Sequence, residues 1–213
     1  MRIAIIGAGG VGSTLGRGWA KVGHTIDFGV RHPDKPELRQ LIGEIGADKA
    51  RAVAPREAAQ ASDTIVLATP WPVTIEAARG LGPLTGKPVL DCTNPLGRGP
   101  DGIFLEIGHT TSGAEQIAAA LPGVALFKAF NHVGFGIMAE PRLPVGAAAM
   151  LVAGDDAALK PTVLTLVREL GFEVIDAGPL RAARLLEPMA MLWIHLSRNC
   201  GLGFDFAFVR GQR

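Results

Sequence analysis

Apolar residues along the chain fall into blocks that switch between two periods. Ile3–Ile6, Asp63–Ala68, Lys87–Asp91, Val124–Phe127, Ala147–Val152 and Phe172–Asp176 are short and nearly continuous in apolar character. That is the pattern of strands buried on both faces of a parallel sheet. Thr25–Gly29 and Arg51–Ala54 read as two further strands. Between them the period lengthens. Val11, Leu15, Trp19 and Val22 stand at i, i+4, i+8 and i+11, one stripe of a helix, and Gly23 stands where a C-terminal cap would. Pro36–Gly43, Pro55–Ala61, Val73–Arg79 and a segment from Thr111 or Ser112 to Leu121 are helical in the same sense. So is Asp155–Leu170, closed by Gly171. The stretch Arg98–Thr111 reads as loop, and Leu96–Gly102, rich in Gly and Pro, as its most mobile part. Strands alternating with helices predict an α/β, doubly wound, mostly parallel sheet with helices on both faces.

The pattern changes after Gly178-Pro179. Leu180–Ser197 is apolar on nearly every side, which predicts a buried helix. Pro188 would kink it or shift its start. The tail Gly201–Phe208 adds three aromatic rings. The segment reads as a helical cap on the fold, or as a shared homodimer interface. The expected division is 1–177 for the sheet domain and 178–213 for the cap.

The first run of the sequence carries the strongest motif. Ile3–Ile6 leads directly into Gly7-Ala8-Gly9-Gly10-Val11-Gly12, a GxGxxG turn between a strand and a helix. With 28 glycines in the chain the motif alone decides little. Its place between strand and helix does. The first glycine allows a sharp turn, the second lets a pyrophosphate approach the backbone, and the third brings the helix against the sheet. The helix N-terminus then faces the phosphates. Gly7, Ala8, Gly9, Gly10, Val11 and Gly12 are the expected dinucleotide contacts.

The end of the second strand selects the cofactor. A site for NAD(H) usually places an Asp or Glu there to hold the ribose hydroxyls. Here the strand ends Val30-Arg31-His32, Asp27 lies too early and Asp34 follows Pro33. Arg31, with His32 beside it and Lys35 as a second cation, suits a 2′-phosphate. The expectation is NADP(H).

Composition narrows the remaining classes. A formal net charge of +1, without a basic patch interleaved with aromatics, argues against nucleic-acid binding. No apolar run approaches a membrane span. Cys92 and Cys200 are far apart and lack metal-ligand spacing, so neither a disulfide framework nor a metal site is expected. The N-terminus enters the first strand at once, which points to a cytoplasmic protein.

In such sheets ligands bind beyond the carboxyl ends of the strands. Thr69-Pro70-Trp71-Pro72, Thr93–Gly97 (with Asn94) and Asn131–Gly136 follow three strand ends. The prolines stiffen the first loop, and Trp71 offers a flat face to a ring or packs as a core aromatic. His132 is the titratable group placed for acid–base work. It reads equally as a structural histidine or a substrate contact without proton transfer. No Lys–Asp or Ser–Lys dyad is legible, which favours an acceptor ring that carries its own negative charge, since such a transfer needs mainly proximity and orientation.

Ile5-Ile-Gly-Ala-Gly-Gly-Val-Gly, Gly29-Val-Arg-His, Ala68-Thr-Pro-Trp, Asp91-Cys-Thr-Asn-Pro, Lys128-Ala-Phe-Asn, Asp176-Ala-Gly-Pro-Leu and Arg184-Leu-Leu-Glu-Pro together resemble the NADPH-dependent coenzyme F420 reductases, over essentially the whole length. The resemblance implies a Rossmann domain with a small C-terminal helical cap, a homodimer, and direct hydride exchange between NADPH and the F420 deazaflavin. It implies that Thr69, Pro70 and Trp71 lie along the nicotinamide half. It implies that Asn131, His132 and Val133 face the second ring. Thr93-Asn-Pro and Lys128-Ala-Phe-Asn also resemble the cytosolic domain of the STEAP metalloreductases, where the same fold reduces a flavin. The readings that follow are an NADP(H):F420 oxidoreductase, an NADPH-dependent flavin or ferric reductase, or a non-enzymatic NADP(H)-responsive binding protein.

Overall fold

A computed structural model describes residues 1–100 and 102–211. The chain runs β1 (Arg2–Ile6), α1 (Gly10–Lys21), β2 (Thr25–Gly29), α2 (Pro36–Ile45), β3 (Ala50–Val53), α3 (Pro55–Ala61), β4 (Thr64–Leu67), α4 (Trp71–Arg79) and β5 (Pro88–Asp91). A hairpin of β6 (Leu96–Gly99) and β7 (Gly102–Leu105) follows, then α5 (Gly113–Ala120), β8 (Ala125–Lys128) and α6 (Phe135–Ala139). Next come a small hairpin of β9 (Arg142–Leu143) and β10 (Gly146–Ala147), β11 (Ala149–Gly154), α7 (Lys160–Glu169) and β12 (Glu173–Asp176). A 3-10 turn at Leu180–Ala182 leads into α8 (Ala183–Asn199).

Eight strands form one sheet in the order β12-β11-β8-β5-β4-β1-β2-β3. Strands β1 to β5 and β8 are parallel, and β11 pairs antiparallel with β8. This is the doubly wound Rossmann-like arrangement. Alternate residues of each strand enter opposite cores, as a sheet covered on both faces requires. Ile3, Ile5, Phe28, Val66 and Leu90 join Leu15 and Trp19 of α1 and Val163, Leu166 and Val167 of α7. Ala4, Ile6, Ile65, Leu67 and Val89 join Ala58, Ala59, Ala78 and Ile117 on the other face. Trp19 is fully buried and its indole N–H donates to the Leu166 carbonyl at 2.9 Å.

Several sequence expectations are corrected. The stretch Arg98–Thr111 is not simply loop, because β6 and β7 pair within it; Asp101, in the segment expected to be mobile, lies outside the described residues. Helix α7 begins at Lys160, not Asp155. The Asp156 carboxylate accepts the N–H groups of Ala158 and Leu159 and holds a turn there instead. Val22 is the C-cap of α1 and is 48% exposed, off the buried stripe. The short elements α6, β9 and β10 are too brief to leave a periodic signal. Helix α8 runs through Pro188, and it is not buried all round: Leu185 and Leu192 are 72% and 52% exposed. Its buried stripe is Leu186, Glu187, Ala190, Trp193 and Ser197. Of the segment 178–213, residues 212 and 213 lie outside the described residues. The remainder lays α8 along α5 and returns the tail to β11, where the Ala149 N–H donates to the Phe208 carbonyl at 2.8 Å.

A candidate dinucleotide and acceptor site

Register places the site. Gly29, Ile6, Leu67, Asp91 and Lys128 align across β2, β1, β4, β5 and β8. This row marks the carboxyl edge, and the loops leaving it all rise on one side. The chain winds outward from β1 to β3, then crosses back to β4 on the other side of β1. The switch point between β1 and β4 is where ligands enter such sheets.

The glycine turn sits at that point. Gly7 has φ +103°, and a Cβ there would lie 2.7 Å from the Ala68 carbonyl oxygen. A Cβ on Gly12 would meet the Gly7 carbonyl oxygen at 2.1 Å. Both positions therefore demand glycine. At Gly9 a Cβ would meet nothing within 4 Å, so the second glycine faces open space. Gly9 is the N-cap of α1 and offers no side-chain cap to the first-turn N–H groups. A phosphate can fill that role.

A cleft of about 490 Å³ opens on one side of the turn, lined by Ala8, Ser13, Val30, Arg31, His32 and Lys35 among others. Arg31 and Lys35 form no ion pair among the described residues. Arg17, also lining the cleft, pairs with Glu44 at 2.6 Å. Asp27 is fully buried and held by Arg51 through two contacts of 2.8 and 2.9 Å. It cannot reach a ribose.

A second cavity of about 510 Å³ opens on the other side of the turn. Val11, Thr69, Pro70, Trp71, Thr93, Asn94 and the hairpin residues Arg98, Ile103 and Glu106 line it. The expected contacts Ala8, Arg31, His32 and Lys35 therefore group around one cavity, and Val11, Thr69–Trp71 and Asn94 around the other. Trp71 opens α4; its ring stands where a Cβ on Gly113 would meet it at 3.1 Å, so one edge packs on α5 while the residue still lines the cavity. Cys92 is at the cavity wall but buried, and burial first, then Asp91, pushes its thiol well above the usual range. It is inert as a nucleophile.

The expected second-ring contacts lie elsewhere. Asn131, His132 and Val133 are 6%, 1% and 7% exposed and do not line the cavity. The cause is local. Phe130 takes φ +59°, which turns the chain inward after β8. Its ring then stacks edge-on against Trp19 and Phe172, each at 5.8 Å. Asn131 supports Asn94 from behind: the Asn94 amide donates to the Asn131 carbonyl at 2.8 Å, and the Asn131 amide donates to Asn94 Oδ1 at 3.1 Å. His132 Nε2 accepts the Leu151 N–H at 3.2 Å. Burial lowers its pKa to about 4, so the ring is neutral at physiological pH and enclosed. That environment does not suit the acid–base role expected of His132.

The sequence reading found no Lys–Asp dyad, yet a buried Lys128–Asp91 pair lies behind the cavity. Lys128, Asp91 and Glu187 are all fully buried. The Lys128 ammonium contacts Asp91 Oδ2 and Glu187 Oε1, each at 2.9 Å, and donates to the Thr93 carbonyl. Burial pulls the lysine pKa down, but the two carboxylates outweigh it and hold it above the usual value. Asp91 Oδ1 accepts from the Thr93 N–H and hydroxyl, at 2.9 and 2.7 Å. Glu187 accepts the N–H groups of Gly113 and Ala114 at the start of α5. The group thus ties the Thr93–Asn94 wall to the sheet, α5 and α8.

Comparison with known proteins bears on these features. The family model described as NADP oxidoreductase, coenzyme F420-dependent, matches residues 2–95. A crystal structure assigned as an F420-dependent NADP reductase from Arthrobacter sp. FB24 is 31% identical and superposes with a TM-score of 0.87, covering 98% of this chain and 99% of that one. The chain belongs to the coenzyme F420-dependent NADP oxidoreductase family. Within that NADP-linked oxidoreductase family, the F420-dependent NADP reductase of Methanothermobacter thermautotrophicus is 26% identical over 95% of this chain and 94% of its own length. The metalloreductase STEAP3 of Rattus norvegicus is 26% identical over 89% of this chain, but the chain spans only 36% of that protein.

Beyond the expected residues, the site includes Ser13, Arg17, Arg98, Ile103 and Glu106. Arg17 was findable one helical turn after Ser13, on the same face of α1. The alternation of Ile103 and Leu105, with glycines before it, was the signal for the hairpin. Phe135, 61% exposed, lies over Gly10, where a Cβ would meet its ring at 3.1 Å. Nothing in the sequence joins it to the glycine turn. Among the described residues no helix is long and apolar enough to cross a membrane, and no cluster could hold a metal ion.

Proposed function

We propose that the protein transfers hydride between NADP(H) and the deazaflavin ring of coenzyme F420. One observation carries the reading: two cavities flank the glycine turn on the same carboxyl edge, one cationic with Arg31 and Lys35, one walled by Trp71, Thr93 and Asn94. The residues fit NADP(H). Gly9 and the start of α1 would hold the pyrophosphate, and Arg31 and Lys35 the 2′-phosphate, in a cleft whose lining also includes Glu37. When bound, NADP(H) supplies or accepts a hydride at its nicotinamide ring.

The chain's own part is to position and to exclude water. The switch point brings Ala8 to the cationic cleft and Val11 to the second cavity, so a dinucleotide crossing the turn reaches both. Pro70 and Pro72 stiffen one wall, and the Asn94–Asn131 amide pair fixes the other. A deazaflavin can spread the incoming negative charge over its ring, which supports a wall without an exposed histidine. Orientation of the two rings then supplies most of the rate.

A flavin or ferric acceptor is the second reading, favoured by the likeness to STEAP3. We include in the proposal a homodimer formed through the exposed Leu185 and Leu192 side of α8. The test is NADPH oxidation at its near-ultraviolet band with F420, FMN, FAD or a ferric chelate. The expected result is fastest turnover with F420. Tight NADPH binding with no turnover of any acceptor would overturn the proposal in favour of an NADP(H)-responsive binding protein.

A further inference from the structure

Trp71, the flat wall of the second cavity, is gripped at both ends. At its backbone end stands Thr74, fully buried in the first turn of α4. The Thr74 hydroxyl donates to the Pro70 carbonyl at 3.0 Å. With that one proton committed, the Thr69 hydroxyl, 2.8 Å away, donates to Thr74 Oγ1. Pro70 is the N-cap residue of α4 and offers no side-chain bond of its own. Thr74 therefore ties Thr69 and Pro70 back to the helix from within, and fixes the root from which Trp71 leaves it.

At the ring end stands Gly113, the first residue of α5. A Cβ there would lie 3.1 Å from two atoms at the outer edge of the indole, and 3.3 Å from Glu187 Oε1. Gly113 does not have a positive φ, so its backbone does not demand glycine; the close approach of the ring does. The backbone is also kept from drawing back. The Gly113 N–H donates to Glu187 Oε2 at 2.8 Å, and Glu187 is fully buried against Lys128. A side chain at 113 therefore has to push the indole, and the indole lines the cavity.

The structure assigns Thr74 and Gly113 as positioning residues that set the place of the Trp71 ring, and with it the width of the second cavity. Thr74 fixes the root of the ring and Gly113 limits its tip. The kinetic consequence rests on the hydride-transfer reading; the geometric one does not. Relieving a 3.1 Å approach to an ordinary contact of 3.4 Å moves the ring by about 0.3 Å. At about a hundredfold per ångström of misplacement, that is about fourfold in kcat.

Acrylamide quenching reads the ring directly. Trp19 and Trp193 are 0% and 6% exposed and Trp71 is partly buried, so Trp71 carries most of the quenchable emission, and Trp71→Phe sets the background. Thr74→Val removes the hydroxyl and is expected to raise quenching and cut kcat with F420 about fivefold, the size of one hydrogen bond. Thr74→Ser keeps the hydroxyl and recovers most of both. Gly113→Ala is expected to change quenching and cut kcat about fourfold. Alanine is the better helix former, so with Trp71→Phe, whose ring is shorter, Gly113→Ala raises Tm; beside the indole it does not.

Quenching unmoved by both Thr74→Val and Gly113→Ala would overturn the assignment. So would Thr74→Ser as impaired as Thr74→Val, or a Tm effect of Gly113→Ala that is the same with and without Trp71→Phe. If Thr74→Val fails to fold, the Gly113 and Trp71 variants still decide. Turnover absent with every acceptor would count against the hydride-transfer reading alone, because the quenching and the Tm cycle are read without it.

Discussion

Replacing Lys128 with Met removes the one cation from a site that holds Asp91 and Glu187 out of water. Methionine matches the lysine stem in length, so the change deletes charge more than volume. Two buried carboxylates then face each other without a counter-ion. Breaking a buried pair in this way costs about 3–5 kcal/mol. The variant can escape by protonating one acid. At pH 7 that costs about 1.4 kcal/mol for each of roughly three pH units above the normal carboxylate pKa, or about 4 kcal/mol. The two routes agree, so the expected loss is about 4 kcal/mol. For a chain of this size that lowers Tm by about 10 °C.

The assay is thermal unfolding of wild type and Lys128→Met at several pH values. The raised carboxylate pKa belongs to the folded variant. Its penalty is absent below the unfolded carboxylate pKa and grows as pH rises. The stability gap, and the Tm gap with it, should therefore narrow by about 1.4 kcal/mol per pH unit as pH falls from 7 towards 4. The triple variant Lys128→Met, Asp91→Asn, Glu187→Gln should recover part of the loss, because the amide oxygens can still accept from Thr93 and from one of the two N–H groups at the start of α5, while the other loses its acceptor. A loss below about 1 kcal/mol, a gap that does not move with pH, or a triple variant no better than the single one would refute the reasoning.

Arg31→Ala should weaken NADPH binding about tenfold, the size of one charge-assisted contact, and leave NADH unchanged; titration with both cofactors checks it, and equal losses would exclude a 2′-phosphate contact. Gly12→Ala places a methyl 2.1 Å from the Gly7 carbonyl oxygen, so it should abolish NADP(H) binding and lower Tm, whereas Gly9→Ala, which meets nothing within 4 Å, should fold normally and lose affinity only. Calorimetric Tm with and without NADP separates the two. His132 is neutral and buried, and burial pushes its folded pKa down to about 4 from the usual 6.5. A depressed folded pKa means full stability above 6.5 and loss as pH falls towards 4, because imidazolium would point a second N–H at the Leu151 donor. The loss should be about 3 kcal/mol across that window. His132→Leu should flatten the slope there, read by denaturant unfolding at a series of pH values.

The amino-acid sequence by itself determined the frame of this protein. The strand runs read as buried on both faces lie inside the sheet, except Phe172–Asp176, whose strand β12 is a partly exposed edge, and a glycine turn between such a strand and a helix is a local signal that needs no tertiary information. The cofactor reading at Val30-Arg31-His32 was legible for the same reason, since a strand end and its next residues are contiguous. Asp156 shows the limit of local pattern: its side chain replaced a helical turn that periodicity had extended too far. The tertiary structure decided what stands around each cavity. Phe130 turned the chain inward and carried Asn131, His132 and Val133 away from the cavity lined by Trp71 and Asn94. The β6–β7 hairpin brought Arg98, Ile103 and Glu106 to the cavity in their stead. Glu187 is a charged residue buried on an apolar helix, held there by Lys128 and the N–H groups of Gly113 and Ala114, which lie far off in the chain. Charges of that kind are placed by long-range pairing, and pairing leaves no period in the sequence.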